Sequence, residues 1–530
     1  MKNKVSLATI VPYREYENPV IQLSLYYLKA YYLRHSRFHE TTEVEILVFK
    51  KGESQEEIFE AIINSKPHVV GFSCYVWNIL KALKIAKQLK QEFPNVKIVF
   101  GGPDVSPRAC SLMKKHDFID VTVIGEGEET FTALLHAWFS GETDISGIKG
   151  IACRKKGNVF FTGERGQIQN LDEIPSPYLE RIIDENMIIN SEHYVPTETM
   201  RGCPYRCHFC YYHKGFSQVN FFPLERVEKE LKHILEKEPR GLYLMDPTFN
   251  INQERAKAIL RMIIKYNKKS NLHVELKAEL LDEEMMDLLK EAKTDFIEIG
   301  LQSANKKTLQ LINRHFDPDK FSQNIALLNK KNIPFEIQLI DGLPADNYET
   351  LKESINWLLS MQPNNIKIMR LMILPGTYLR ANAKRLGIRY NNNSPYFSTE
   401  SDTFSPEDLI KTGKLRNALS FLYVRGLLRK SLCRLSENLS ISYTHIFEEW
   451  NTWIEGEKLE ALFVSGKVVA DKRIRKAMEA IMKPKRVAIA SDFVKYLSLK
   501  YGKPEFAVEI ASLIRDDGDT YLKKGVANAS

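Results

Sequence analysis

Nowhere do the 530 residues hold an apolar run of about 18, the length a helix needs to cross a bilayer. The start, MKNKVSLATIVPYREYE, has a basic tip and a short apolar stretch. It lacks a small-residue cleavage site, and Arg14, Glu15 and Glu17 follow too soon for a secretory signal. It therefore reads as a first β-strand, and a cytoplasmic location with no membrane partner is expected. A disulfide framework is also missing: the seven cysteines are odd in number and four of them, Cys74, Cys110, Cys153 and Cys433, are scattered. No massed basic tract exists either. The net charge of +8 comes from Lys and Arg spread along the chain, which suits a solvated surface, so no nucleic-acid partner is expected. Only the segment after 385 is locally basic (Lys411, Lys414, Arg416, Arg425, Arg429, Lys430, Arg434), where an acidic partner could touch.

What is present is strand–helix alternation, over a length that suits about three domains. Residues 1–144 show five β-branched runs (5–13, 43–50, 68–75, 96–102, 118–125) separated by amphipathic helices, the pattern of a doubly wound, Rossmann-like or flavodoxin-like parallel sheet. Residues 145–190 read as a hairpin around Lys156-Gly157-Asn158 followed by a proline-containing linker. From 191 to 385 six further strand–helix units follow, with strands at 197–201, 241–246, 273–279, 295–303, 335–344 and 366–374. They suit an open, partial (β/α)6 barrel. Ligands of such sheets sit at the carboxyl ends of the strands. Residues 386–530 read as a mainly helical domain with no chemistry marked on it. The predicted class is α/β throughout the first two domains.

Three cysteines crowd into eight residues, in Arg201-Gly202-Cys203-Pro204-Tyr205-Arg206-Cys207-His208-Phe209-Cys210-Tyr211. The CxxxCxxC spacing follows the first expected barrel strand. Three thiolates can hold three irons of a 4Fe–4S cubane and leave the fourth iron open. Zinc with His208 or His213 as fourth ligand is the alternative, but structural zinc usually takes two separated pairs and no second pair occurs.

The motif, with Phe209 as the aromatic before the last cysteine, resembles that of the radical S-adenosylmethionine (SAM) superfamily. Further segments match its barrel in order: Met245-Asp246-Pro247-Thr248-Phe249-Asn250, Ile299-Gly300-Leu301-Gln302-Ser303, Ile312-Asn313-Arg314, Asp341-Gly342-Leu343-Pro344 and Leu374-Pro375-Gly376-Thr377. The resemblance implies a 4Fe–4S cluster on Cys203, Cys207 and Cys210, and an open iron that binds SAM. One electron from the cluster then splits the sulfonium to methionine and a 5′-deoxyadenosyl radical. It points to Tyr211, Asp246, Thr248, Glu275, Lys277, Glu298, Gln302 and Ser303 as SAM-binding candidates. The second-strand motif departs from the commoner Gly-Gly-Glu, which leaves the amino-group contact open. No catalytic side chain is marked.

The N-terminal domain resembles the cobalamin-binding subclass of the same superfamily, through Gly71–Tyr75, Gly101-Gly102-Pro103-Asp104 and Gly125–Thr130. This implies Ser73, Gly101, Gly102, Gly125 and Glu126 as cobalamin contacts. The loop Pro12–Pro19 has no His of the Asp-x-His-x-x-Gly type, so cobalamin is expected without a protein lower ligand; loss of cobalamin is the alternative. The expected function is methylation of an unactivated carbon in a small-molecule or peptide substrate, with an electron donor such as flavodoxin or ferredoxin. A radical cyclase or rearrangement enzyme is the second reading, and a non-catalytic corrinoid or redox sensor the third. A methylthiotransferase is disfavoured, because only Cys74 and Cys110 lie in the first domain.

Overall fold

The computed structural model describes residues 2–13, 20–212, 218–463 and 472–509, with positions 513, 516 and 517. Arg14–Pro19 and His213 of the sequence reading lie outside the described residues. The first sheet contains β1 (Asn3–Val11), β2 (Thr42–Lys50), β3 (Val69–Ser73), β4 (Lys97–Gly101) and β5 (Val121–Val123), all parallel, in the order 2-1-3-4-5. This is the flavodoxin-like order, with its switch point between β1 and β3. Seven consecutive residues of β1, Val5–Val11, are buried, as a central strand covered by helices on both faces requires. The hairpin β6 (Ile151–Lys155) and β7 (Asn158–Phe161) pairs antiparallel on the β5 edge, so the expected hairpin extends this sheet to seven strands.

The second sheet has six parallel strands in chain order: β8 (Val195–Thr197), β11 (Gly241–Leu244), β12 (Asn271–Leu276), β13 (Thr294–Gln302), β14 (Glu336–Asp341) and β15 (Asn365–Arg370). It is an open barrel; β8 and β15 form its edges. The stretch read as one strand at 197–201 is divided. The Asp246 carboxylate accepts from the backbone N–H of Thr199 (2.8 Å) and Met200 (3.2 Å), which turns the chain out of the sheet. β9 (Met200–Arg201) then pairs antiparallel with β10 (Asn220–Phe221). Helices between strands start on local signals: Asn347 forms a capping box with Thr350, and Asp282 caps Glu283–Glu291 through the Met285 N–H.

After 400 the chain is helical, through Pro406–Ala418, a π-helical turn Leu419–Val424, Arg429–Leu439, Tyr443–Gly456 and Lys472–Lys500. This bundle packs around Trp450, which meets Phe463 and Phe493 edge to face, and shares one apolar core with the barrel. Polar contacts tie it to the barrel helix Tyr348–Ser360: Asn356 Nδ2 to Thr444 (2.8 Å) and Tyr348 Oη to Glu448 (2.9 Å).

Candidate active site

Cys203, Cys207 and Cys210 lie on the loop that leaves β9, at the carboxyl mouth of the barrel, and all three are unbridged. Gly202 enters the loop at φ +101°, where an added Cβ would sit 2.3 Å from the Gln218 carbonyl oxygen, so no side chain fits. The loop is docked at two places. His208 N–H donates to the Ile312 carbonyl (2.9 Å), and the Leu379 N–H donates to the His208 carbonyl (3.1 Å). The His208 ring stacks on Tyr378 with centroids 3.8 Å apart.

Hydrogen-bond donors are aimed at the sulfurs. Arg314 Nη1 lies 3.6 Å from Cys207 Sγ, and the Tyr212 N–H donates to Cys210 Sγ at 3.4 Å. Thr248 Oγ1 lies 4.0 Å from Cys203 Sγ. Such N–H···S contacts suit thiolates that carry negative charge on iron. Among the described residues no three His, Cys, Asp or Glu converge as they would around one metal ion. A cubane spreads its ligands around a wider body than a single zinc. Burial pushes the Cys203 thiol up, against the Tyr205 N–H and the Thr248 hydroxyl.

The expected SAM contacts occupy the mouth in different ways. Gln302 ends β13 at φ +77°, buried, and its Oε1 has no protein partner. An orphaned acceptor at this place fits a polar ligand. Ser303 is buried and donates to Asp346 (3.1 Å). Lys277 pairs with Glu279 (2.6 Å) and sits 5.6 Å from the Tyr205 ring. Asp246 is fully buried, held by Thr199 and Met200; burial pushes it up to about 6 against those hydrogen bonds. Asp246 therefore shapes the strand end. Glu275 accepts from the Tyr243 hydroxyl and is pushed up by burial. Glu298 pairs with His273 (3.0 Å); burial opposes its ionisation, but His273, Lys367 and Gln338 hold it below the ordinary value. Both glutamates belong to the barrel lumen.

At the carboxyl edge of the first sheet, buried Asn78 ties β1 to β3 through Ile10 O (3.1 Å) and Ser73 O (3.0 Å). Gly102, at φ +100°, lies so close to Cys74 that a Cβ would meet its carbonyl oxygen at 2.6 Å. Gly125, at φ +81°, has nothing within 4 Å of a Cβ position, and Gly101 meets only Val123 at 3.7 Å. Tyr75 and half-exposed Trp77 stack beside them at 4.5 Å. This open shelf of backbone and flat rings fits a bulky planar ligand. His68 lies at the opposite end of β3, where its Nδ1 accepts from the Lys4 N–H.

The two edges face each other. A Cβ on Gly376 would touch both Pro107 of the first domain and Tyr211 of the cysteine loop, each at 2.6 Å. Tyr396 Oη reaches Asp104 (3.3 Å). Arg201, two residues before Cys203, is buried and binds Glu126 (2.7 Å), Glu128 (2.7 Å) and Glu198 (3.0 Å). Glu126, expected as a cobalamin contact, thus serves an interdomain ion pair and also accepts from the Ile168 N–H (2.7 Å). The sequence reading attached no function to Arg201, Glu128 and Glu198. Arg201 stood beside the motif, but its partners are remote in sequence.

Two family models match: the radical SAM superfamily over residues 197–358 and the B12-binding domain over residues 12–135. The chain thus contains a radical SAM domain and a B12-binding domain. With the B12-binding domain ahead of the barrel, the cofactors implied are a 4Fe–4S cluster, SAM and cobalamin. Among relatives, it is 26% identical to the cobalamin-dependent radical SAM methyltransferase TokK of Streptomyces tokunonensis, over 83% of this chain and 69% of that one. It is 28% identical to the 2-(S-pantetheinyl)-carbapenam-3-carboxylate methyltransferase of Streptantibioticus cattleyicolor, over 61% of this chain and 49% of that one. By fold it is similar to the cobalamin-dependent SAM radical enzyme OxsB (TM-score 0.66, 15% identity, 98% of this chain and 84% of that one). The methyltransferase TsrM of Kitasatospora setae is similar over 74% of this chain and 80% of its own (TM-score 0.59, 16% identity). Among the described residues no helix is long and apolar enough to cross a membrane.

Proposed function

We propose that the protein is a cobalamin-dependent radical SAM methyltransferase acting on an unactivated carbon of a small-molecule or peptide substrate. The observation that carries this reading is the meeting of the two strand edges at Gly376, where Pro107 and Tyr211 close on one glycine. The names of the two curated relatives support methyl transfer. When bound, the cluster supplies the electron that cleaves SAM, and cobalamin supplies the methyl group.

The chain's own residues have distinct tasks. Cys203, Cys207 and Cys210 would hold the cluster, with Arg314 and the Tyr212 N–H directed at its sulfurs. Gln302 Oε1 would accept from SAM, with Thr248 beside Cys203 at the mouth and Ser303 fixing the turn that follows β13. Gly101, Gly102 and Gly125 would let the corrin approach the sheet edge, with Ser73 at the end of β3. Asp246 and Glu126 position backbone and neighbouring domain. A one-electron carrier such as flavodoxin or ferredoxin would provide the reducing equivalent.

Anaerobic incubation of the reconstituted protein with SAM, cobalamin and a reductant tests the reading. Formation of 5′-deoxyadenosine is expected, and a substrate found by screening should gain one CH2 unit in mass. A fully loaded protein that never yields 5′-deoxyadenosine would defeat it. A second reading, radical cyclisation, is favoured by 25% identity to the anaerobic magnesium-protoporphyrin IX monomethyl ester cyclase of Rubrivivax gelatinosus, over 59% of this chain. A product without the added CH2 would select it.

A further inference from the structure

The loop that holds the three cysteines is framed by positive charge without a matching negative partner. Residues 203–212, 304–316 and 374–399 contain no Asp or Glu, although the chain has 67 acidic residues in all. Arg206, Lys306, Lys307, Lys384 and Arg385 are exposed in these segments. Among the described residues none of the five has a carboxylate within ion-pair distance, whereas Lys257, Lys331 and Lys352 each bridge two or more.

The three segments are joined in space. Asn313 Nδ2 donates to the Arg206 carbonyl (3.0 Å), and the His208 ring Nδ1 lies 2.7 Å from the Leu311 carbonyl. Lys307 stands about one helical turn before Leu311 on the same short helix. On the other side Arg385 donates to the Tyr378 hydroxyl (2.6 Å), and Tyr378 carries the His208 ring. The cations therefore surround the outer face of the cysteine loop, where Pro204 and Arg206 are exposed next to the ligating residues. The border is set by Asp317 beyond the 311–314 turn, by Glu400, which pairs with the sixth exposed cation of these segments, Arg389, and by Asp402, which packs on Gly387.

We propose that this face is the docking surface for an acidic, single-electron carrier protein. The inference rests on the radical SAM reading above, which needs one electron delivered from outside the chain. In that transfer the carrier is oxidised by one electron and the cluster reduced by one; no bond forms or breaks at the contact. Unpaired exposed cations cost the folded chain mutual repulsion and attract a negatively charged surface, raising the encounter rate at low salt. Their position places the carrier over the outer face of the cysteine loop, where exposed Arg206 directly precedes Cys207. The second basic region, after residue 405, has partners: Lys414 pairs with Glu455 (2.7 Å) and Lys411 with Asp408 (3.3 Å).

The test uses the reconstituted full chain and flavodoxin, a small acidic carrier, as probe. Binding is measured by titration at low and physiological ionic strength for the parent and for the triple variant Lys306→Glu, Lys307→Glu, Lys384→Glu. Cluster reduction is followed in parallel by absorbance, with flavodoxin hydroquinone or with dithionite. The parent should bind and weaken with salt. The triple variant should bind about tenfold or more weakly and slow with flavodoxin alone, keeping its dithionite rate and its unfolding temperature. Replacement of the same three residues by Gln should fall between. Equal binding by parent and variant, binding indifferent to salt, or loss of the dithionite rate as well would overturn the proposal. Absence of 5′-deoxyadenosine with dithionite in the parent would instead count against the radical SAM reading, leaving the binding comparison to decide the surface.

Discussion

Arg201 Nη2 donates to Glu128 Oε1 at 2.7 Å, with both side chains buried, across the boundary between the first sheet and the barrel. Arg201 leads directly into Gly202 and Cys203, so the first domain grips the chain where the cysteine loop begins. Three carboxylates share this one guanidinium. Buried ions so arranged tolerate the loss of a partner poorly. Replacing Arg201 with Met should cost about 3–5 kcal/mol in denaturant unfolding of the full chain. It should also lower the iron retained after reconstitution. Arg201→Lys, which keeps the charge but loses the fork, should restore part of the stability.

The same cluster predicts a pH dependence. Burial pushes Glu198 up to about 7, with Arg201 pulling against it. The unfolded chain releases this proton near the ordinary value of 4.5, so between there and about 7 the folded state holds one proton more. Stability from this group is full below pH 4.5 and falls as pH rises to about 7, on the order of 3 kcal/mol for the shift. Asp246, pushed up to about 6 by burial, acts in the same direction. Unfolding free energies measured from pH 5 to 8 should therefore decline more steeply for the parent than for Glu198→Gln. Parallel curves would remove Glu198 from the explanation.

Arg314 should set the potential of the cluster. Its N–H is aimed at Cys207 Sγ, and a cation there favours the more negative, reduced state. Arg314→Met should lower the midpoint potential by about 60 mV, a tenfold change in a one-electron equilibrium. Spectroelectrochemical titration checks this; Arg314→Lys should lie between the two.

Gly376 is a wedge point. An Ala side chain would strike Pro107 and Tyr211 and also suffer the φ of +80°. Gly376→Ala should separate the first domain from the cysteine loop. Cobalamin retention measured by absorbance is expected to fall at least severalfold, with the iron content little changed.

The cysteine loop and both sheets were legible because their signals are local. Three cysteines in eight residues, and β-branched runs between amphipathic helices, do not depend on distant partners. The interdomain contacts are another matter. Glu126 and Asp246 sit at strand ends, where a polar residue can serve a cofactor or the backbone with the same sequence appearance. Only the fold shows Glu126 turned to Arg201, and Asp246 turned to the N–H groups of Thr199 and Met200. Arg314 stood in the sequence as the last residue of the Ile312-Asn313-Arg314 segment; its approach to Cys207 spans 107 residues. The division of 197–201 between a barrel strand and a separate ribbon was equally hidden, because Asp246, far along the chain, causes it.

The central claim is that Cys203, Cys207 and Cys210 leave one iron of a cubane open to SAM. Electron paramagnetic resonance of the reconstituted, reduced full chain, recorded before and after SAM is added, tests it most directly. The predicted result is a 4Fe–4S signal whose g values shift on addition of SAM and which disappears when the three cysteines are replaced by Ala. A signal unmoved by saturating SAM, or a protein that takes up zinc and forms no cluster, would contradict it.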